Sequence, residues 1–207
     1  MKEYKKFFKQ GIFPHYPENH EIILDEVRKY YTRISIDTQF SFTSKNPIDR
    51  RLDFSSYFLA LIVTLDKMNE PYEKIRNICL EIVTEYVKPK NKWQAFLKRL
   101  PPKIIKLGFS KYLIRAFNKR VNRNQNPDGF IANIITDKDQ TYGFGYGVDI
   151  IECGICKLFR KHGYERYASI LCEVDKVTSS LAGLELIRSG TIALGATKCD
   201  FRFKRIN

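Results

Sequence analysis

Two cysteines separated by two residues are the first candidates for chemistry in this sequence. Cys153 lies near the predicted start of a helix, and Cys156 follows it by one turn. Unpaired backbone N–H groups and the helix dipole at that end stabilise a thiolate, so Cys153 is a candidate nucleophile. A Cys-x-x-Cys pair is also typical of redox dithiols and of metal sites.

A redox dithiol and a four-cysteine zinc site are therefore the alternatives at this pair. The zinc ligands would be Cys153, Cys156, Cys172 and Cys199. The sequence contains no second closely spaced cysteine pair, and none of its three histidines stands at ligand spacing. We therefore predict neither a metal nor a cofactor.

A third cysteine shares a predicted helix face with a carboxylate. Cys172 and Asp175 are three residues apart, so both side chains face the same point. Their face also carries small residues, whereas a solvent-exposed face usually carries Lys and Glu. We expect the face to be covered. It then either lines a cavity, with both residues as catalytic candidates, or packs against another element, with Asp175 buried and hydrogen-bonded.

The C-terminal segment CDFRFKR alternates as a strand does. Cys199 shares one face with Phe201 and Phe203, and is either a catalytic thiol or part of the core. Arg202 lies on the opposite face with Asp200. It is predicted either to pair with Asp200 or to bind the carboxylate of a substrate.

A second predicted strand, YGFGYGVDII, places three glycines on one face and bulky side chains on the other. The glycine face, with Gly143, Gly145 and Gly147, ends at Asp149. Without side chains, it lets another group approach the backbone closely. We expect it either to pack against a helix or to form a cavity floor, with Gly145 and Asp149 as substrate-binding candidates.

These candidates are positioned by a predicted α+β fold, in which a helical N-terminal part precedes an antiparallel sheet with helices packed against it. Hydrophobic periodicity predicts helices over residues 19–34, 54–68 and 71–87. The pattern then changes to β-β-α-α-β-β, over residues 130–136, 142–151, 152–162, 164–182, 184–193 and 198–206.

Charge divides the chain into three parts. The formal net charge is +13, and residues 88–123 hold 12 Lys and Arg with no Asp or Glu. We therefore distinguish a helical part at 1–87, a basic helical connector at 88–123 and an α+β part at 124–207. These parts are expected to form one compact unit.

The basic connector interleaves apolar and basic residues, as helices on anionic membrane surfaces do. Pro101-Pro102 interrupts that pattern, and the alternative is a solvated helical pair docked on the core. Charge alone also suits nucleic acid, but no reader motif is present. We predict a surface for anionic partners at 88–123 and no specific nucleic-acid partner.

The cysteine count and the apolar runs bear on location. Five cysteines, an odd number, and an N-terminus without an apolar signal core favour free thiols in a reducing cytoplasm. The longest apolar run, residues 58–65, is too short to span a bilayer, so no transmembrane segment is predicted.

Taken together, VDIIECGICKLFRKHG, LCEVD and CDFRF resemble the L-2-amino-thiazoline-4-carboxylate hydrolase family over about residues 141–205. The family has a Cys that opens a helix ten residues before a Gly, matched by Cys153 and Gly163. Its Leu-Cys-x-x-Asp is matched at Cys172 and Asp175, and its final strand at residues 199–203. One departure is Gly154, where the family commonly has Pro, and it implies a looser helix start.

The resemblance implies a hydrolase that opens a cyclic amidine or cleaves another non-peptide C–N bond of a small carboxylate-bearing substrate. Cys153 or Cys172 would be the nucleophile, and Asp175 or Asp149 would hold the amidinium or activate water. Arg202 would hold the substrate carboxylate. The alternatives are a non-catalytic module that binds a small ligand and a basic protein that binds a membrane or nucleic-acid surface.

Overall fold

The computed structural model describes residues 2–88, 110–121, 126–144 and 146–206. It confirms the α+β prediction, because helices fill the N-terminal part and a four-stranded antiparallel sheet lies in the C-terminal part. The N-terminal helices are α1 (Lys2–Ile12), α2 (His20–Ile34), α3 (Arg51–Lys67) and α4 (Tyr72–Val87). A 3₁₀ helix, Ser35–Phe42, follows α2 directly and precedes α3.

Helix α3 is the centre of the helical part. Almost every residue from Leu52 to Leu65 is buried, on all sides of the helix. A helix that is apolar all round must be surrounded, and α2, α4 and the 3₁₀ helix pack around α3. This placement fixes the position of Arg51, the first residue of α3.

One helix boundary differs from the sequence prediction. Asn69 does not cap α4; it adopts a positive φ of 59° just after α3, and Pro71 stands at the N-cap. Asparagine tolerates the left-handed conformation better than most residues do.

The basic connector is described only in part. Lys88 and one helix, α5 (Ser110–Val121), are described. The other residues of 88–123, with the prediction made for them, lie outside the described residues. Among the helices that are described, none has the length and apolar character needed to cross a membrane.

The sheet is formed by β1 (Ile131–Ile135), β2 (Gly147–Glu152), β3 (Leu184–Ile187) and β4 (Cys199–Arg205), in the order β1-β2-β4-β3. Helices α6 (Gly154–Lys161) and α7 (Ala168–Leu181) connect β2 to β3, as the β-β-α-α-β-β pattern predicts. Ile150 pairs with Cys199 and Val148 with Phe201. This register places Cys199 and Phe201 on the sheet face that meets the helices.

The helical part and the sheet share one core. Helix α3 packs on α6, and α4 packs on α7. Arg76 of α4 donates a 2.8 Å hydrogen bond from Nε to Glu173 of α7. Arg51 is thereby brought over the helix face of the sheet.

The predicted strand at 142–151 begins later than expected. Residues 141–144 form a turn, in which Phe144 N–H donates to Thr141 O (2.9 Å) and Tyr142 and Gly143 have positive φ angles of 47° and 73°. A continuous glycine face is therefore wrong, and Gly145 lies outside the described residues. The strand predicted at 184–193 also ends early, at Ile187, because Asp200 accepts backbone hydrogen bonds from Ser189 and Gly190 in the following loop.

Strand β4 lies close to the backbone of Gly147, as the glycine pattern predicts. A Cβ there would lie 2.8 Å from Arg202 Cδ and 2.8 Å from the carbonyl oxygen of Phe201. We expect Gly147→Ala to lower the free energy of unfolding by about 2 kcal/mol, because the strand backbone cannot yield to the extra methyl group. Urea denaturation measures this change, and an unaltered midpoint would show that β2 and β4 can separate freely.

Candidate active site

A small cavity lies between α3, α6, α7 and the helix face of the sheet. Four sequence-predicted candidates line it: Cys153, Cys172, Asp175 and Cys199. Arg51, Cys156 and Phe201 also contribute to the wall. The volume is about 20 Å³, enough for roughly one water molecule. The structure therefore brings the four candidates together, although they come from three different elements.

The end of β2 and the start of α6 position Cys153. It occupies the N-cap of α6 with an extended backbone (φ −101°, ψ 109°), next to the free N–H groups of the first helical turn. Gly154 makes the close packing of this turn possible, since a Cβ there would lie 3.1 Å from Asp128 O and 3.2 Å from Leu52 Cδ2. The glycine that departs from the family pattern thus sits in a tightly packed helix start.

The surroundings of Cys153 stabilise its thiolate. A hydrogen bond from the Cys156 thiol lowers the pKa of Cys153, against the opposing effect of burial. The backbone N–H groups of Ile155 and Cys156 and the positive charge of Arg51 lower it further, to about 7. Near neutral pH, a large fraction of Cys153 is therefore the nucleophilic thiolate.

The pKa values of the neighbouring thiols are raised rather than lowered. Donation to Cys153 raises the pKa of Cys156, and burial raises that of Cys199. Burial, reinforced by the nearby Asp175 carboxylate, raises the pKa of Cys172 to about 12. Of these four thiols, Cys153 is the one suited to act as a nucleophile.

This difference between the thiols is open to a direct test. We expect iodoacetamide to modify Cys153 at a rate that rises with pH and reaches half its plateau near pH 7, because only the thiolate reacts. Cys172 should react far more slowly over that range. Quantifying alkylated peptides by mass spectrometry gives both rates, and faster labelling of Cys172 would contradict the assignment.

Asp175 is placed at the cavity by α7 and faces two arginines. Arg51 donates a hydrogen bond from Nη2 to Asp175 Oδ1, and Arg188 Nη1 lies 3.8 Å from Oδ2. The Arg51 side chain is 42% exposed, so it separates this carboxylate from solvent. Sequence reasoning missed both arginines, since no local pattern connects either with the cysteines.

Arg188 is a buried guanidinium at the end of β3. Its side chain is 5% exposed, and its Cζ lies 5.2 Å from the centre of the Phe201 ring. Nη2 donates to the carbonyl oxygen of Cys172 (3.2 Å), whereas buried Nη1 has no hydrogen-bond partner among the described residues. A buried cation with an unused donor can bind an anionic group.

The structure places Asp149 and Arg202 away from these residues. Strand alternation directs both side chains to the opposite sheet face, where Arg202 Nη1 lies 2.8 Å from Asp149 Oδ1. Lys198 Nζ donates to Asp149 Oδ2 at 2.6 Å. Although burial acts to raise the pKa of Asp149, these two cations hold it below its usual range.

The positions of the described side chains also bear on the alternative of a four-cysteine zinc site. Within residues 2–88, 110–121, 126–144 and 146–206, no three His, Cys, Asp or Glu side chains converge in a way that could hold a metal ion. The described cysteines are free thiols.

The helical part and the antiparallel sheet thus enclose a cavity lined by a low-pKa thiol, a carboxylate and the Arg51 guanidinium, with the Arg188 guanidinium beside that carboxylate. The chain belongs to the L-2-amino-thiazoline-4-carboxylic acid hydrolase family, whose family model matches residues 50–203. The match confirms the sequence resemblance and extends it to α3, so it includes Arg51. Searches of curated proteins and of solved structures found no significant match.

Proposed function

We propose that the protein is a hydrolase that opens the ring of a cyclic amidine carrying a carboxylate, with Cys153 as the nucleophile. The observation that carries this proposal is the position of Cys153, whose thiolate is stabilised at the start of α6 beside a cavity. Family membership supports the reaction class and the type of substrate.

The first step is addition of the Cys153 thiolate to the sp² carbon between the ring sulfur and the amidine nitrogens. The electron pair of the C=N bond moves to nitrogen and forms a tetrahedral adduct. As that pair returns, the bond between carbon and ring sulfur breaks, and the sulfur takes a proton. The product of this step is an isothiouronium on Cys153 with a free substrate thiol.

Water completes the reaction. It adds to the same carbon and releases a proton, and the adduct then expels the Cys153 thiolate. A leaving thiol with a low pKa departs easily, so the feature that activates Cys153 also favours its release. The product is a carbamoyl group on the opened chain.

Two side chains match the charges of such a substrate. Asp175 already pairs with a planar cation, Arg51, and an amidinium presents comparable N–H donors to a carboxylate. Arg188 Nη1, buried and without a hydrogen-bond partner in the described chain, suits the substrate carboxylate. We therefore assign the carboxylate to Arg188 rather than to Arg202, which pairs with Asp149 on the other sheet face.

The cavity must widen for this chemistry, because a volume of about 20 Å³ does not admit a ring. Arg51 is the wall residue suited to move, since its side chain is partly exposed and contacts Asp175. An incoming amidinium would replace the Arg51 guanidinium on Asp175 and keep the carboxylate paired.

Turnover of L-2-amino-thiazoline-4-carboxylate by the purified protein tests the proposal. Ring opening releases one thiol per molecule, so a thiol reagent reports the rate, and mass spectrometry identifies the carbamoyl product. A matched ring without the carboxylate should react more slowly. Absence of turnover with this and other cyclic amidines, from protein shown to be folded, would reject the hydrolase and leave ligand binding.

The Arg188 assignment predicts a specific loss. Arg188→Met keeps much of the stem that covers Phe201 but removes the cation, so we expect kcat/KM to fall by about 10²-fold, mainly through KM. The same variant should lose little on the substrate that lacks a carboxylate. Equal losses on both substrates would show that Arg188 supports the fold rather than binding the carboxylate.

A further inference from the structure

Cys156 has no covalent role in the proposed hydrolysis, yet it lies beside the reactive thiol. Cys153 is the N-cap of α6 and Cys156 is its third residue, positions whose groups meet over the first turn of a helix. Both side chains line the cavity. Cys153 is only partly buried, whereas Cys156 is buried and sheltered from direct attack.

We propose that Cys153 is a site of oxidation by hydroperoxides. Cys156 then reacts with the oxidised Cys153 and forms a disulfide with it across the first turn of α6. A partly exposed thiol next to a second cysteine, at the start of a helix and facing Arg51, is the arrangement in which a thiolate reacts selectively with peroxide. A water-sized cavity also suits hydrogen peroxide, which is little larger than water.

The reaction has two balanced steps. The Cys153 thiolate attacks one peroxide oxygen, the O–O bond breaks, and the departing hydroxide takes a proton to become water. This leaves a sulfenic acid on Cys153. The Cys156 sulfur then attacks the Cys153 sulfur, the S–O bond breaks, and the second hydroxide leaves as water with the Cys156 proton. Two thiols are oxidised to one disulfide, and one peroxide is reduced to two waters.

Cys156 is favoured over the other cavity thiols as the resolving residue. Cys153 and Cys156 lie within the first turn of one helix and both line the cavity, so a bond between their sulfurs requires no movement of one element against another. Cys199 instead accepts a hydrogen bond at its sulfur from Ile192 N–H (3.2 Å), within a different element. Cys172 lies on α7 and would require a bond between two helices.

The disulfide would also control hydrolysis, a consequence that rests on the proposed function, whereas the oxidation itself does not. With the Cys153 sulfur in a disulfide, no thiolate remains to attack the amidine. Residual activity should therefore equal the fraction of protein whose cysteine pair stays reduced, and dithiothreitol should restore the remainder.

The test is treatment of the full-length protein with hydrogen peroxide, followed by alkylation of free thiols and tryptic mass spectrometry. Residues 139–157 form one tryptic peptide that holds Cys153 and Cys156 alone. We expect this peptide to lose the mass of two hydrogen atoms and to escape alkylation. The peptides with Cys79, Cys172 and Cys199 should stay fully alkylated.

Variants separate the two steps. Cys156→Ser, or Cys156→Ala if serine destabilises the fold, should accumulate a dimedone-reactive sulfenic acid on Cys153, and Cys153→Ser should show neither product. A disulfide from Cys153 to Cys172 or Cys199, or a Cys153 that stays reduced while other thiols oxidise, would overturn the proposal. These readouts are masses, so they decide it even if no cyclic amidine is hydrolysed.

Discussion

Replacing Cys153 with serine is expected to reduce kcat/KM for a cyclic amidine by at least about 10³-fold. Serine has nearly the same shape, but its hydroxyl stays protonated at neutral pH and cannot replace the thiolate. The pKa of Cys153, lowered to about 7 by Cys156, two backbone N–H groups and Arg51, is the physical basis of this effect. Steady-state kinetics with the thiol-release assay measures the change.

Cys172→Ser is the matched control, because it makes the same exchange in the wall of the same cavity. Burial raises the pKa of Cys172 to about 12, so it is protonated and its loss should lower kcat/KM by less than about 10-fold. This comparison decides between the two nucleophiles that the sequence leaves open. Reversal of the two effects would assign the nucleophile to Cys172.

The second large effect is on stability. We expect Asp149→Asn to lower the free energy of unfolding by about 3 kcal/mol, because it leaves the buried Arg202 guanidinium without a counter-charge. The two side chains are 8% and 9% exposed and lie 2.8 Å apart. For a chain of this length, such a loss lowers Tm by about 8 °C, which calorimetry can measure. Catalysis by the folded variant should change little.

The effect of Asp149 should also depend on pH. Its pKa is lower in the folded chain than in the unfolded chain, so the stabilisation is complete above the unfolded pKa and disappears as pH falls through the folded value. The stability difference between wild type and variant should therefore shrink below about pH 4.

Lys198→Met is the control for the same carboxylate. This lysine is 47% exposed, so its ion pair with Asp149 is screened by water and should contribute less than about 1 kcal/mol. Equal losses in the two variants, or a Cys153-dependent activity that disappears in Asp149→Asn while stability is kept, would return Asp149 to the substrate site.

The sequence predicts the order of the elements well because hydrophobic period and turn residues are local signals. It also predicts that Cys172 and Asp175 face one point, and that Cys199 shares a face with Phe201, since both follow from helix and strand geometry. Strand alternation likewise predicts which residues of β4 lie on each face. What required the structure was the strand register, which sets Arg202 against Asp149 on the far face.

The two arginines beside Asp175 could not be found from local sequence patterns. Arg51 and Asp175 are 124 residues apart, and only the packing of α3 on α6 and of α4 on α7 brings them into contact. In sequence, Arg51 resembles any cation before an apolar helix, and Arg188 resembles any cation after a strand. The predicted glycine face was wrong for a related reason. Aromatic residues alternate with glycines as in a strand, but Tyr142 and Gly143 adopt turn conformations.

Trapping the covalent intermediate shows whether Cys153 attacks the substrate carbon. The enzyme is mixed with L-2-amino-thiazoline-4-carboxylate, quenched in acid during turnover and digested with trypsin. Peptide 139–157 should gain the full mass of the substrate, with fragment ions that place the added mass on Cys153. Turnover with no adduct on this peptide, or with the adduct on the peptide that carries Cys172, would contradict it.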